Sequence, residues 1–110
     1  MKSYKELSNV LENKINQTIK NGGRNARRIS HLIDTWLAFA ERDWETPEDV
    51  KREKARELLE YVEGRITNVD FESKELDWVM NLTFSYIALR QVVEPIAENE
   101  REARMYHIGV

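Results

Sequence analysis

The chain has no cysteine, and its 110 residues include only two prolines, four glycines and two histidines. Without cysteine there is no disulfide framework, no thiolate metal cluster and no thiol nucleophile. So little glycine and proline disfavours a β-sandwich or barrel, whose many tight turns draw on both. His31 and His107 are too few and too far apart in sequence to argue for a metal site. Long hydrophobic runs are missing as well. The longest uncharged stretch, Trp78 to Leu89, falls short of the roughly 20 apolar residues that cross a bilayer. Met1 to Glu6 carries no apolar core and no small-residue cleavage site, so no secretory signal is expected and the expected location is the cytoplasm. No glycine-rich phosphate loop of the Walker type occurs, and no cofactor is expected.

What is present is 41% apolar and 34% charged residues, with a formal net charge of −3. That is enough apolar mass for a core, and the length fits a single helical domain over residues 1–110. Apolar residues recur at steps of three and four in four stretches, which predicts an all-α antiparallel four-helix bundle. The first, over about 3–20, opens on Ser3 and Glu6 at capping-box spacing, carries Tyr4, Leu7, Leu11, Ile15 and Ile19, and ends at Gly22-Gly23. The second, over 25–42, carries Ala26, Ile29, Leu32, Ile33, Trp36, Leu37 and Ala40. The third, over 47–67, starts at Thr46-Pro47-Glu48-Asp49, with Thr46 as the expected N-cap, Pro47 at the first helical position and two acids at the positive helix end. Its stripe is Val50, Ala55, Leu58, Leu59, Val62 and Ile66.

The fourth stretch, over 73–106 with Ser73 as the expected N-cap, differs in kind. From Leu76 to Ile96 apolar residues fall on nearly every side, so this helix is expected either at the centre of the bundle or at an oligomer interface. Pro95 removes a backbone donor and is expected to bend or restart it. Arg90 interrupts the apolar run and is expected to point outward or to bond an acid of the third helix. Trp44, just ahead of Thr46, reads either as a lid on the bundle end or as a partner contact.

Charge is distributed unevenly. Between Asn13 and Ile33 there is no acid, while Lys14, Lys20, Arg24, Arg27 and Arg28 supply five positive charges. From Glu41 to Asp77 there are 13 acids against 7 bases, a local net of −6. Three arginines therefore gather at the start of the second helix, where the macrodipole disfavours each cation by about 0.3–1 kcal/mol. Backbone N–H groups, dipole and guanidinium groups at that end all favour an anion. The two alternatives are pairing with the acidic third helix, in the same or a neighbouring subunit, and a true anion site made by Lys20, Arg24, Asn25, Arg27, Arg28 and His31. In the second, Arg24 and Arg27 donate bidentate hydrogen bonds, Lys20 adds longer-range charge, and Ser30 stands near. Asn25 also reads as the helix cap, and His31 as a boundary position one turn beyond Arg27. No carboxylate stands in an apolar stripe where burial would tune it.

Arg24-Asn25 followed by His31 also resembles the Arg-polar…His signature of HEPN-type ribonucleases, over eight residues. That resemblance implies an all-helical, often dimeric protein in which Arg24 and His31 act on an RNA phosphodiester. The residues themselves predict a small non-enzymatic binding protein, homo-oligomeric, that captures an anionic ligand or an acidic macromolecular surface. A second expectation is a protein-interaction module, an adaptor or inhibitor in the style of phage and mobile-element accessory factors. It would use the acidic third helix and the surplus apolar surface of the fourth. No membrane partner is expected.

Overall fold

A computed structural model describes residues 1–70 and 72–94, and among these every regular element is a helix. The helices are α1 (Tyr4–Lys20), α2 (Ala26–Arg42), α3 (Glu48–Asn68), α4 (Leu76–Met80) and α5 (Leu82–Val93). α2 is the shared element, packing against α1, α4 and α5, while α3 packs against α4 and α5. The core between them is Leu11 and Ile15 of α1, Ala26, Ile29, Ile33, Trp36 and Ala40 of α2, Ala55, Leu58 and Val62 of α3, with Val79, Leu82 and Leu89. These are the residues on the helical stripes, so the pattern of three and four is what selects the buried faces.

Local chemistry sets the ends. Ser3 accepts the Glu6 N–H at 3.1 Å and starts α1. At the other end Gly22 and Gly23 both have positive φ, +104° and +57°. The Gly22 N–H bonds the Ile19 carbonyl and the Gly23 N–H that of Thr18, the paired pattern of a Schellman stop. Gly23 has a second reason to be glycine, because a Cβ there would stand 2.5 Å from the Tyr61 hydroxyl of α3. Its carbonyl accepts from Arg65, which also donates to Tyr61 Oη at 2.8 Å. The α1–α2 turn is thereby seated directly on α3.

Three expectations about helix ends are corrected. Thr46 does not cap α3: the N-cap is Pro47, without a side-chain bond, and Thr46 instead donates to Asp43. Asp43 organises this turn, accepting the N–H groups of Glu45 at 2.9 Å and Thr46 at 3.1 Å. It is also a buried carboxylate, 4% exposed, where none was expected. Burial pushes its carboxyl up, but the Thr46 and Glu45 hydrogen bonds and the nearby Lys51 ammonium outweigh this and hold it below the ordinary aspartate value. Ser73 likewise caps a turn ahead of the helix rather than the helix itself, accepting from the Glu75 N–H, and Glu75 is the N-cap of α4.

The fourth stretch is not one helix over 73–106. It breaks at Asn81, whose N–H turns back to Trp78 and whose carbonyl accepts from the Ser30 hydroxyl of α2 at 3.3 Å. Ser30 also meets the wholly buried Ser85 at 2.9 Å, and Ser85 donates to Asp34 at 2.8 Å. A short polar chain therefore ties α2 to the break. α5 stops at Val93, and the expectations for Pro95 and for the tail to 106 lie outside the described residues. Nor is this segment covered all round: Val79, Leu82, Ser85 and Leu89 are buried, while Trp78, Met80, Phe84, Ile87 and Val92 are exposed.

Candidate functional site

The start of α2 is built by the glycine turn below it. The Schellman stop of α1 reverses the chain over Gly22 and Gly23, and Arg24 leads into Asn25, the N-cap of α2. Asn25 Oδ1 accepts the Arg28 N–H at 2.9 Å, so this side chain is committed to the cap. Neither the Ala26 nor the Arg27 N–H, also in the first turn, finds a backbone or side-chain acceptor among the described residues. No acid stands in this turn.

Arg24, Arg27, Arg28 and His31 are all exposed. Arg27, Arg28 and His31, with Asn25 and Leu32, line a shallow depression of about 300 Å³ on the outer face of α2. Arg24 and Lys20 are not part of its wall. Lys20 lies in the last turn of α1, where a cation complements the negative helix end and has a structural reason of its own. Ser30 is not near this surface at all: it is buried and spent on Ser85 and Asn81.

The ion pairs decide how the cluster is neutralised. Among the described residues none of Lys14, Lys20, Arg24, Arg27 or Arg28 has a carboxylate within 4.0 Å. Three of the six acids of the third helix pair within it instead, Glu57 with Lys54 at 3.6 Å, Glu53 with Arg56 at 3.5 Å and Glu48 with Lys51 at 2.9 Å. The opposite end of α2 follows the dipole rule, since Lys51 donates to the Ala40 and Asp43 carbonyls at 3.1 and 2.9 Å and Arg42 to that of Ala38. The two ends of one helix are thus treated differently.

Elsewhere the polar groups are structural. Arg90 points outward and pairs with Glu94 at 3.6 Å, not with an acid of α3. The Tyr86 hydroxyl against it, with Glu94 behind, raises its guanidinium above the ordinary value, and Tyr86 reaches Glu63 at 3.4 Å. Among the described residues no three His, Asp or Glu side chains converge as a cation site. No described helix is long and apolar enough to cross a membrane. Trp44 is no lid: it is 93% exposed, beside a groove of about 700 Å³ between α2, the start of α3 and the end of α5.

Two features escaped the sequence reading. Asp43 followed by Thr46 and Pro47 has the spacing of a side chain that accepts backbone N–H groups two and three residues on, which was a usable signal. Ser8 falls on the stripe of Tyr4, Leu11 and Ile15 and is buried in α1. Compared with models of known protein families, with curated proteins and with solved structures, the chain matches none of them.

Proposed function

We propose that the protein is a non-enzymatic binding protein that captures a phosphate-bearing anion, free or on a nucleic acid, at the start of α2. The observation that carries this reading is that among the described residues Lys14, Lys20, Arg24, Arg27 and Arg28 have no carboxylate within 4.0 Å, while Glu48, Glu53 and Glu57 of α3 are paired on their own helix. Arg27 and Arg28 supply the donors at the exposed first turn, Arg24 joins from the glycine turn, and the unpartnered Arg27 N–H adds the helix dipole. Asn25 shapes the turn rather than touching the ligand, and Lys20 contributes charge at longer range.

The proposal includes an antiparallel up-down arrangement of the helices, supported by the Tyr4 ring of α1 meeting Phe39 near the far end of α2 at 6.2 Å. It includes a second copy of the chain as well, covering the outward stripe of Met80, Phe84 and Ile87 on the apolar fourth segment. Function in the cytoplasm belongs to the same proposal. The test is binding of a fluorescein-labelled single-stranded oligonucleotide. The Arg24→Glu/Arg27→Glu/Arg28→Glu variant is expected to lose it, and unchanged affinity in a folded triple variant removes the proposal.

A protein-interaction module is the second reading, favoured by the exposure of Trp44 and Phe84, 93% and 78%. The acidic face of α3 supports it less, because Glu53 and Glu57 already have partners. Affinity for a protein partner that survives the arginine changes but fails on Phe84→Glu distinguishes it. The ribonuclease resemblance has Arg24 and His31 exposed near one helix start, but only His31 in the depression. RNA cleavage abolished by His31→Ala tests it.

A further inference from the structure

The turn between α1 and α2 carries a chemically reactive pair. Asn21 is the one asparagine of the chain followed by glycine, and both Asn21 and Gly22 are exposed. Asparagine is a thermolabile residue. Its side-chain carbon can be reached by the backbone nitrogen of the next residue, and glycine leaves that approach unhindered. At Gly22 the way is open: beyond its chain neighbours, a Cβ there would meet only the Arg24 side chain, with Cγ at 3.9 Å and Nε at 4.0 Å. Among the described residues no hydrogen bond holds the Asn21 carboxamide.

Two features of the turn act in opposite directions. The Arg24 side chain lies beside the Gly22 peptide, where its charge favours loss of the Gly22 N–H proton and the oxyanion that forms on Asn21. The helix stop restrains the same atoms. An Asn21 ψ of +16° turns the Gly22 nitrogen towards the backbone nitrogen of Asn21 and away from its side chain. The Gly22 and Gly23 N–H groups are also held by the Ile19 and Thr18 carbonyls, at 3.1 and 3.0 Å. Both bonds must open before the nitrogen reaches Asn21 Cγ, and they close the end of a helix, where local opening is least costly.

We propose that Asn21 is a modification site, deamidated spontaneously through Gly22. The Gly22 nitrogen gives its proton to water or hydroxide and attacks Asn21 Cγ. The bond from Cγ to the carboxamide nitrogen breaks, that nitrogen leaves with a proton as ammonia, and a cyclic imide joins the two residues. Water then opens either imide carbonyl and leaves aspartate or isoaspartate at position 21, so a water is consumed and an ammonia released. The product carboxylate is the first acid in the stretch between Asn13 and Ile33, next to Lys20 and three residues before Arg24. Its effect is to draw down the charge of the basic cluster; this consequence rests on the anion-binding reading above, whereas the modification does not.

The test incubates the full chain for weeks at mildly alkaline pH, folded in buffer and unfolded in urea. Fragment mass spectra localise the mass gain of amide-to-acid exchange. The gain is expected at Asn21 ahead of every other asparagine in both states, about tenfold or more faster in urea, and is expected to vanish in Asn21→Gln. Arg24→Gln is expected to slow the folded chain about two- to fivefold. A gain confined to the unfolded chain, or appearing first at another asparagine, overturns the proposal. Equal rates in the two states overturn the restraint assigned to the helix stop, and an unchanged rate in Arg24→Gln overturns the part given to Arg24. A second arm measures binding of the labelled oligonucleotide, which Asn21→Asp is expected to weaken about two- to fivefold. Wild-type affinity in that variant overturns the effect on the basic cluster. A wild-type protein that does not bind the oligonucleotide removes the anion-binding reading, and the modification is then judged on the mass spectra alone.

Discussion

Gly23 and Asp43 show how single residues hold the two turns that frame α2. At Gly23 the backbone is left-handed and the space for a Cβ is taken by Tyr61 Oη. Gly23→Ala is therefore expected to cost about 1–2 kcal/mol for the backbone conformation and more for the clash. Adding Tyr61→Phe removes the hydroxyl and is expected to recover the clash part only, which urea unfolding of the two single variants and the double variant measures. Asp43 gives a pH dependence. Its folded carboxyl lies below the ordinary value near 3.9, so its contribution is complete above that value and is lost as pH falls through the lower folded one. Urea midpoints measured from neutral pH down to about 3 are expected to drop for the wild type and to fall less for Asp43→Asn. Asp43→Ala, which abandons the Glu45 and Thr46 donors, is expected to cost about 1–3 kcal/mol at neutral pH. Gly23 was legible as the left-handed stop of α1, but its second role was not, and Asp43 was missed. Gly23 read only as a helix stop because Tyr61 and Arg65 lie some forty positions away, and Asp43 was lost in the fading end of a stripe.

The helices differ in how far their own residues determine them. α1, α2 and α3 carry strong periodicity and local end signals, so their existence and inward faces were legible before any coordinates. The fourth segment was not, and the reason is physical: nothing local to Asn81 forces a break. Its carbonyl is taken by Ser30, which meets it only after the chain has folded. Ser85→Ala is expected to cost about 1–3 kcal/mol by stripping a partner from buried Ser30 and from Asp34, read by chemical unfolding. α2 itself joins two opposite electrostatic choices. Lys51→Met removes the ammonium group from its C-terminal carbonyls and is expected to destabilise by roughly 1–2 kcal/mol. The arginines at the other end oppose the dipole, so Arg27→Glu is expected to leave stability unchanged or raise it by a few tenths of a kcal/mol. A basic cluster that folding alone disfavours is what supports the proposal of a site at that end.

At the scale of the whole molecule, the chain is acidic overall, yet among the described residues Lys14, Lys20, Arg24, Arg27 and Arg28 stand without a carboxylate within 4.0 Å. The sequence showed the five cations and the long acidic stretch, but left open whether the two would pair. That depended on side-chain packing, and in the structure Glu48, Glu53 and Glu57 pair within α3. The exposed stripe of Met80, Phe84 and Ile87 bears on assembly: sedimentation across concentration is expected to show a dimer that Phe84→Glu dissociates, and a wild-type monomer at every concentration contradicts this part of the account. The central claim concerns the basic start of α2, and salt dependence tests it most directly. The affinity of the wild-type protein for a labelled single-stranded oligonucleotide is to be measured between about 50 and 200 mM salt. Three phosphate contacts predict a slope of log affinity against log salt near −2, an affinity loss of roughly 20-fold over that range. In the Arg24→Glu/Arg27→Glu/Arg28→Glu variant the slope is predicted to fall towards zero together with the affinity. A wild-type slope already near zero, or one the three substitutions leave unchanged, contradicts the account.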